Sequence, residues 1–447
     1  MRRSVLAFSL FAFCLPGGAG AQPRTPAPGA RAPAAAAEPF SAPNVVAEVR
    51  RIIAERYVLP ERRPALDAVL AEGLASGRYN VASAGDLAER INADLERVGH
   101  DRHLNFRYAP QPAGAGPGPG PRRGPPDEAA QEREAAQRNF GIRELRVLPG
   151  NLRYMAYDGF EWTGESSARA LETAMRFLSG GDAVIIDLRR NGGGSPEAVQ
   201  YLVSHFMPAN RPLMTFYMNG STAADTTATL ADVPAGRMIG KPLYVLTSGG
   251  TASAAEEFSG HVAGYRLGEL VGENTAGAGF RNDMVRIDGG FLLSVSVGRA
   301  VLAATGKDWE AVGHAPSIAA PVTAALDVAQ THALRRLVTT APAQDRPRLE
   351  ALADGIAARQ EARATAMPLT AYAGNYGERV VSVDGNALYY QRGARARERL
   401  IALGGNVFTF ENDPMIRLDF AAANGSAAAM EVGSPGLPPQ GRYERTR

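Results

Sequence analysis

Two uninterrupted apolar runs, each leading straight into a glycine-rich loop, constrain this chain more than any other feature. Ala183-Val184-Ile185-Ile186-Asp187-Leu188 leads into Arg189-Arg190-Asn191-Gly192-Gly193-Gly194. Leu243-Tyr244-Val245-Leu246 leads into Thr247-Ser248-Gly249-Gly250-Thr251. Strands buried on both faces read as such runs. A helical pattern follows each loop, from Pro196 to Phe206 with proline in its first turn, and from about Ser253 to Tyr265. Glu269 to Gly272 reads as a short strand. Val285–Ile287 and Phe291–Val297 alternate across Asp288-Gly289-Gly290 as a hairpin does. Strand and helix in alternation predict an α/β core that begins near Phe140.

The flanks differ in texture. From Asn44 to about Gly99 the pattern is helical. Ser83-Ala84-Gly85-Asp86 resembles a capping box, and Leu87, Ile91, Leu95 and Val98 form one apolar stripe. Residues 109 to 126 are almost all Pro, Gly, Ala and Arg, the composition of a linker. After a helix near Arg348 to Ala364, short apolar strands are punctuated by Asp384-Gly385, Gly404-Gly405, Asn412-Asp413-Pro414 and Asn424-Gly425. Ile416, Leu418 and Phe420 alternate, so the last ~80 residues read as a small antiparallel β domain. With 447 residues, 45% of them hydrophobic, there is material for two or three domains. The expected division is a signal peptide at 1–21, an Ala/Pro-rich tether at 22–43 and a helical domain at 44–108. A linker at 109–136, the α/β core at 137–345 and a helix with a β-rich accessory domain at 346–447 complete it.

Arg2 and Arg3, the apolar run Val5–Leu15 and Ala19-Gly20-Ala21 carry the features of a secretory signal. The only cysteine, Cys14, lies inside it, so the mature chain would hold no disulfide and no thiolate. The formal charge of +2 falls to 0 when Arg2 and Arg3 leave. A periplasmic or secreted protein is expected. Nothing in the charge pattern points to nucleic acid, and no later stretch is long and apolar enough to span a bilayer.

Chemistry is expected in the two glycine-rich loops, because groups at the carboxyl ends of α/β strands face outward. The three consecutive glycines, Gly192 to Gly194, leave backbone N–H groups uncovered that can bind an anion or a developing oxyanion, although a tight turn alone would also use glycine. The second loop ends in Ser253 at a helix start, where the dipole favours negative charge. Ser253 and Glu256 also form a capping box that needs no chemistry. A nucleophilic serine requires a base. The chain offers six histidines, 100, 103, 205, 261, 314 and 332, and only two lysines, Lys241 and Lys307. His100-Asp101-Arg102-His103 lacks the further ligands of a metal site. No cofactor or metal is expected.

Four blocks follow in order over about 130 residues. They are Asp187-Leu188-Arg189-x-Asn191-x-Gly193-Gly194, Thr251-Ala252-Ser253-Ala254-Ala255-Glu256, Val271-Gly272-Glu273-x-Thr275-x-Gly277 and Glu310-x-Val312-Gly313-x-x-Pro316-x-Ile318. Together they resemble the C-terminal-processing (tail-specific) serine peptidase superfamily, serine-peptidase family forty-one. The helical segment ending Asp101-Arg102-His103-Leu104 resembles the N-terminal domain of the branch that includes interphotoreceptor retinoid-binding protein. The resemblance covers about residues 44 to 340. It implies a crotonase/ClpP-like protease core. The processing proteases use a Ser/Lys dyad, with the lysine in Gly-Lys-Gly, but the equivalent here is Gly277-Ala278-Gly279. There is also no room for their PDZ domain. The tricorn-like branch instead implies Ser253 as nucleophile, His103 as base and Glu310 as the orienting carboxylate. The oxyanion hole would come from Ala254 with Gly193 or Gly194, and Asp187, Glu256 and Glu273 would support. The expected function is an exported serine peptidase acting on a peptide or unfolded polypeptide. Two other readings stay open, a binding protein for an apolar ligand and an esterase using the same triad.

Overall fold

In the computed structural model, the residues described are 40–110 and 128–446, except 222, 362 and 436. The expected signal, most of the tether and most of the Pro/Gly-rich linker lie outside them. Three helices open the described chain, α1 (Ala42–Arg56), α2 (Arg63–Ala75) and α3 (Ala84–Gly99), followed by strand β1 (Asn105–Tyr108). The Ser83 hydroxyl caps α3 by accepting from the Asp86 N–H at 3.0 Å. Part of the segment read as linker is the helix α4 (Glu128–Gln137). Its Ala/Glu/Arg composition favours a helix even though its neighbours do not.

The core alternates as its texture implies. Its elements are β2 (Ile142–Leu148), β3 (Leu152–Tyr157), α5 (Glu165–Ser179), β4 (Ala183–Asp187) and α6 (Pro196–Ser204). Then come β5 (Pro212–Met218), β6 (Asp225–Ala228), β7 (Leu243–Thr247), α7 (Ala254–Gly264) and β8 (Glu269–Gly272). β9 (Phe280–Ile287), β10 (Phe291–Leu302), β11 (Ile318–Ala319), α8 (Ala325–Thr340) and α9 (Arg346–Ala357) complete it. Six strands form one sheet in the order β11-β8-β7-β4-β3-β2, parallel except for β2 at its edge. Val184, Ile186, Leu243 and Val245 pack on one face with α6 and α7. Ala183, Ile185, Tyr244 and Leu246 pack on the other with α8 and α9. That two-sided burial is why β4 and β7 are apolar throughout.

A second sheet, β1-β10-β5-β6 with β9 also on β10, joins the amino-terminal helices to the core. Asn105–Tyr108 pairs with Phe291–Ser294 of β10. Side chains from α1, α2 and α3 share one apolar cluster with Phe291, Leu293 and Val295. The carboxyl-terminal strands are β12 (Gly374–Tyr376), β13 (Arg379–Asp384), β14 (Ala387–Arg392), β15 (Glu398–Gly404), β16 (Val407–Phe410), β17 (Arg417–Ala423), β18 (Ser426–Gly433) and β19 (Gly441–Glu444). They pair in sequence order as one antiparallel meander. An Asn375–Thr446 bridge brings its two ends together, so the sheet nearly closes into a barrel. No helix among the described residues is long and apolar enough to cross a membrane.

Candidate active site

β4 and β7 are parallel neighbours, with Asp187 opposite Leu246, so the loops at their carboxyl ends run side by side. Three hydrogen bonds stitch them together. The Ala252 N–H donates to Asn191 O at 3.0 Å, the Thr251 hydroxyl to Leu188 O at 2.8 Å and the Ser248 hydroxyl to Arg189 O at 2.7 Å. A third loop joins when the Ala276 N–H donates to Thr251 O at 2.9 Å.

Ser253 sits at the turn from this loop into α7 with φ 55 and ψ −120. Few non-glycine residues adopt such a conformation, and it costs on the order of 1–3 kcal/mol. Glu256 fixes it. Its buried carboxylate accepts from the Ser253 N–H at 3.0 Å, the Thr275 hydroxyl at 2.6 Å, the Gly277 N–H at 2.7 Å and the Ala278 N–H at 2.8 Å. Burial pushes the Glu256 carboxyl up despite these four donors. Glu256 thus cross-braces the serine loop and the segment where the processing proteases carry lysine.

Gly193 has φ 108, and a Cβ there would lie 2.7 Å from the Ser253 Cβ and 3.0 Å from the Ala254 N. Only glycine lets the two loops approach this closely. The Gly193 N–H donates to Asn191 Oδ1 at 2.9 Å, so the structure removes it from the expected oxyanion donors. The reason is local: the Asn191 side chain folds back to satisfy the glycine turn. The Gly194 and Ala254 N–H groups form none of the hydrogen bonds found among the described residues. Both residues line a cavity of about 40 Å³ that also touches Ser253, Glu257, Ala278, Gly279, Phe280 and Trp309.

The amino-terminal segment brings in the candidate base. His103 follows α3, just before β1. Atoms of Asp101, His103 and Glu310 that can act as ligands lie within 4.8 Å of one another. Glu310 is bound to the cavity wall. Its Oε2 accepts from the Gly279 N–H at 2.6 Å and the Phe280 N–H at 3.0 Å, and its Oε1 from the Arg102 N–H at 3.3 Å. Burial, and then the charge of Asp101, push the Glu310 carboxyl up to about 7. Burial pushes the His103 imidazole down, against the pull of Asp101. The ring makes no hydrogen bond to Ser253 or Glu310 in this conformation, and Nδ1 is buried without a partner. In the sequence Asp101 shows only as part of the His100-Asp101-Arg102-His103 cluster. Its Oδ1 accepts from the His103 N–H at 2.8 Å and the Leu104 N–H at 3.2 Å, fixing the turn that carries the histidine. An aspartate two residues before a candidate base was the signal available.

The remaining expected residues lie further out. Asp187 receives Arg189 through two bonds of 2.9 and 2.6 Å and the Tyr154 hydroxyl at 2.7 Å. Burial raises the Asp187 carboxyl, but Arg189 and Tyr154 outweigh it and hold the group below its usual range. Asp187 anchors the loop base and has no bond to Ser253. Glu273 accepts from the Val322 N–H at 3.2 Å, bracing β11. Lys241 donates to the Ser179 and Gly181 carbonyls at the far end of the sheet, and Lys307 is exposed on the turn after β10. A cleft of about 360 Å³ beside Lys241 contains none of the expected residues. A further cluster holds the buried His261 and Glu257 beside His314. His261 Nε2 lies 3.7 Å from Glu257 Oε1, and burial with the neighbouring His261 pushes His314 down to about 4.

Residues 151–320 match peptidase family S41, and residues 40–139 match the N-terminal domain of peptidase S41 in eukaryotic IRBP. A carboxyl-terminal-processing protease of Synechocystis is 30% identical over 120 residues, which are 27% of this chain and 27% of that protein. The chain therefore spans about a quarter of the curated relative it matches. A solved Bacteroides fragilis protein assigned to the S41 proteases is 25% identical, covers 40% of this chain and 51% of its own, and has a TM-score of 0.36. A lipoprotein from Streptococcus agalactiae is 15% identical over 67% of this chain and 98% of its own, with a TM-score of 0.45.

Proposed function

We propose that this chain, which carries the core and amino-terminal domains of peptidase family S41, is an exported serine peptidase acting on peptides or unfolded polypeptides through Ser253, His103 and Glu310. One observation carries the reading. Glu310 is held by the N–H groups of Gly279 and Phe280, which wall the Ser253 cavity, and lies within 4.8 Å of Asp101 and His103. A histidine and a carboxylate from distant stretches of chain thus meet beside residues that wall the cavity lined by Ser253.

In the proposed reaction the Ser253 hydroxyl attacks the peptide carbonyl and His103 takes its proton. The Glu310 carboxylate sets the imidazole tautomer and stabilises the imidazolium. The Ala254 and Gly194 N–H groups donate to the oxyanion, each worth roughly 3–4 kcal/mol in hydrolases of known mechanism. His103 then protonates the leaving amine, and water releases the acyl group by the same steps. Export rests on the amino-terminal signal pattern.

The test is hydrolysis of an unfolded polypeptide by the full chain and by Ser253→Ala, His103→Ala and Glu310→Gln. Losing the nucleophile or the base should cost about 10⁴-fold or more in kcat. A His103→Ala variant within about tenfold of the parent would remove histidine as the base.

A further inference from the structure

We infer that Asp101, His103 and Glu310 form a site for a divalent transition ion, Zn²⁺ foremost, whose binding reversibly silences the peptidase. The inhibitory half rests on the function proposed above; the binding half does not.

The geometry supplies one imidazole nitrogen and two carboxylates, with their ligand atoms within 4.8 Å of one another. Zn²⁺ binds such donors at ~2.0–2.2 Å, which puts tetrahedral ligands ~3.4 Å apart. Small side-chain rotations close that gap. On two of the donors one ligand atom makes none of the hydrogen bonds found among the described residues. Asp101 is 5% exposed, yet its Oδ2 has no hydrogen-bond partner, and neither has the buried Nδ1 of His103. A buried carboxylate oxygen left unpaired is costly. The Tyr57 phenol, pushed up by burial, by the Asp101 charge and by hydrogen bonding to that carboxylate, is neutral: it can donate to Asp101 but cannot balance its charge.

The supports that orient metal ligands are also in place. Backbone N–H groups of Gly279, Phe280 and Arg102 hold Glu310, and those of His103 and Leu104 hold Asp101. The donor set, one nitrogen and two oxygens, leaves a fourth position for water.

Silencing follows from imidazole chemistry whichever nitrogen binds. If the ion takes Nδ1, the single proton of the neutral ring sits on Nε2, which can no longer accept one from serine. If it takes Nε2, the accepting lone pair is itself consumed. Either way Glu310 is drawn from orienting the ring to coordinating the ion.

The experiment titrates the full chain with Zn²⁺ by calorimetry and with Co²⁺ by visible absorption, beside fluorophosphonate labelling of Ser253. The expected result is one ion per chain, with binding lost in His103→Ala and in Glu310→Gln and kept in Ser253→Ala. Glu310→Asp serves if either variant misfolds. Labelling of the parent should slow with Zn²⁺ and recover with EDTA. Absence of one-to-one binding, or binding that survives both His103→Ala and Glu310→Gln, overturns the site. Failed labelling without metal would sink the peptidase reading while leaving the titration to decide the site.

Discussion

Ser253 is held at φ 55 and ψ −120 by the Glu256 brace, so the fold spends stability on presenting one hydroxyl. Ser253→Gly should therefore abolish activity and raise the melting temperature, since glycine adopts positive φ freely and the strain is about 1–3 kcal/mol. Ser253→Ala should abolish activity without that rise, and equal melting temperatures would contradict the strain. Gly193→Ala is the complementary case. Its Cβ would meet the Ser253 Cβ at 2.7 Å, so labelling of the serine should be lost in a chain that still folds. The pH dependence also belongs to this scale. Glu310 is raised from 4.5 to about 7, so the fold holds its proton more tightly than the unfolded chain does. That contribution to stability is complete below about 4.5 and is lost as pH rises through about 7. In the proposed triad Glu310 acts in its ionised form, so kcat/KM should climb with pH through about 7. Asp101→Asn removes the like charge and should move the climb to lower pH. A limb that does not move would show that Asp101 does not act on Glu310.

At the scale of elements, β1 is the part that brings His103 to the core. Its pairing with β10 is backed by the Phe106–Phe291 stack at 5.2 Å, with Phe40 and Tyr108 edge-on to Phe291 at 5.7 and 5.6 Å. Phe291→Ala should cost about 3–5 kcal/mol and lower kcat beyond what the folded fraction explains, because the base loses its anchor. Unchanged kcat per folded molecule would show that β1 does not set the position of His103. The elements themselves were legible where burial leaves a local mark. β4 and β7 are apolar because both faces are covered, and the β9–β10 hairpin alternates around Gly289-Gly290. What was not legible depends on contacts far apart in sequence. Nothing near Asn105 announces that β1 pairs with β10, and nothing near Asn375 announces its bridge to Thr446. α4 was hidden by the Pro/Gly-rich stretch before it. The Gly193 N–H reads as available because a motif shows a glycine but not the Asn191 side-chain oxygen that accepts from it.

Across the whole molecule, the carboxyl-terminal meander keeps its own apolar cluster and meets the core through α9, where the Arg417 guanidinium donates to the Ala351 carbonyl. Phe420 lies inside that cluster, edge-on to Tyr372 at 5.2 Å and Phe408 at 5.6 Å. Phe420→Ala should cost the meander about 3–5 kcal/mol while leaving the Ser253 labelling rate unchanged. A matching fall in that rate would tie the meander to the active site. At the other junction, the proposed base of the amino-terminal segment would serve the proposed nucleophile of the core. The most direct measurement maps, by mass spectrometry, the fluorophosphonate adduct on the full chain, on Ser253→Ala and on His103→Ala. One adduct is expected, on Ser253, absent from Ser253→Ala and formed far more slowly in His103→Ala. An adduct on Ser248, or labelling at the parent rate without His103, would contradict it.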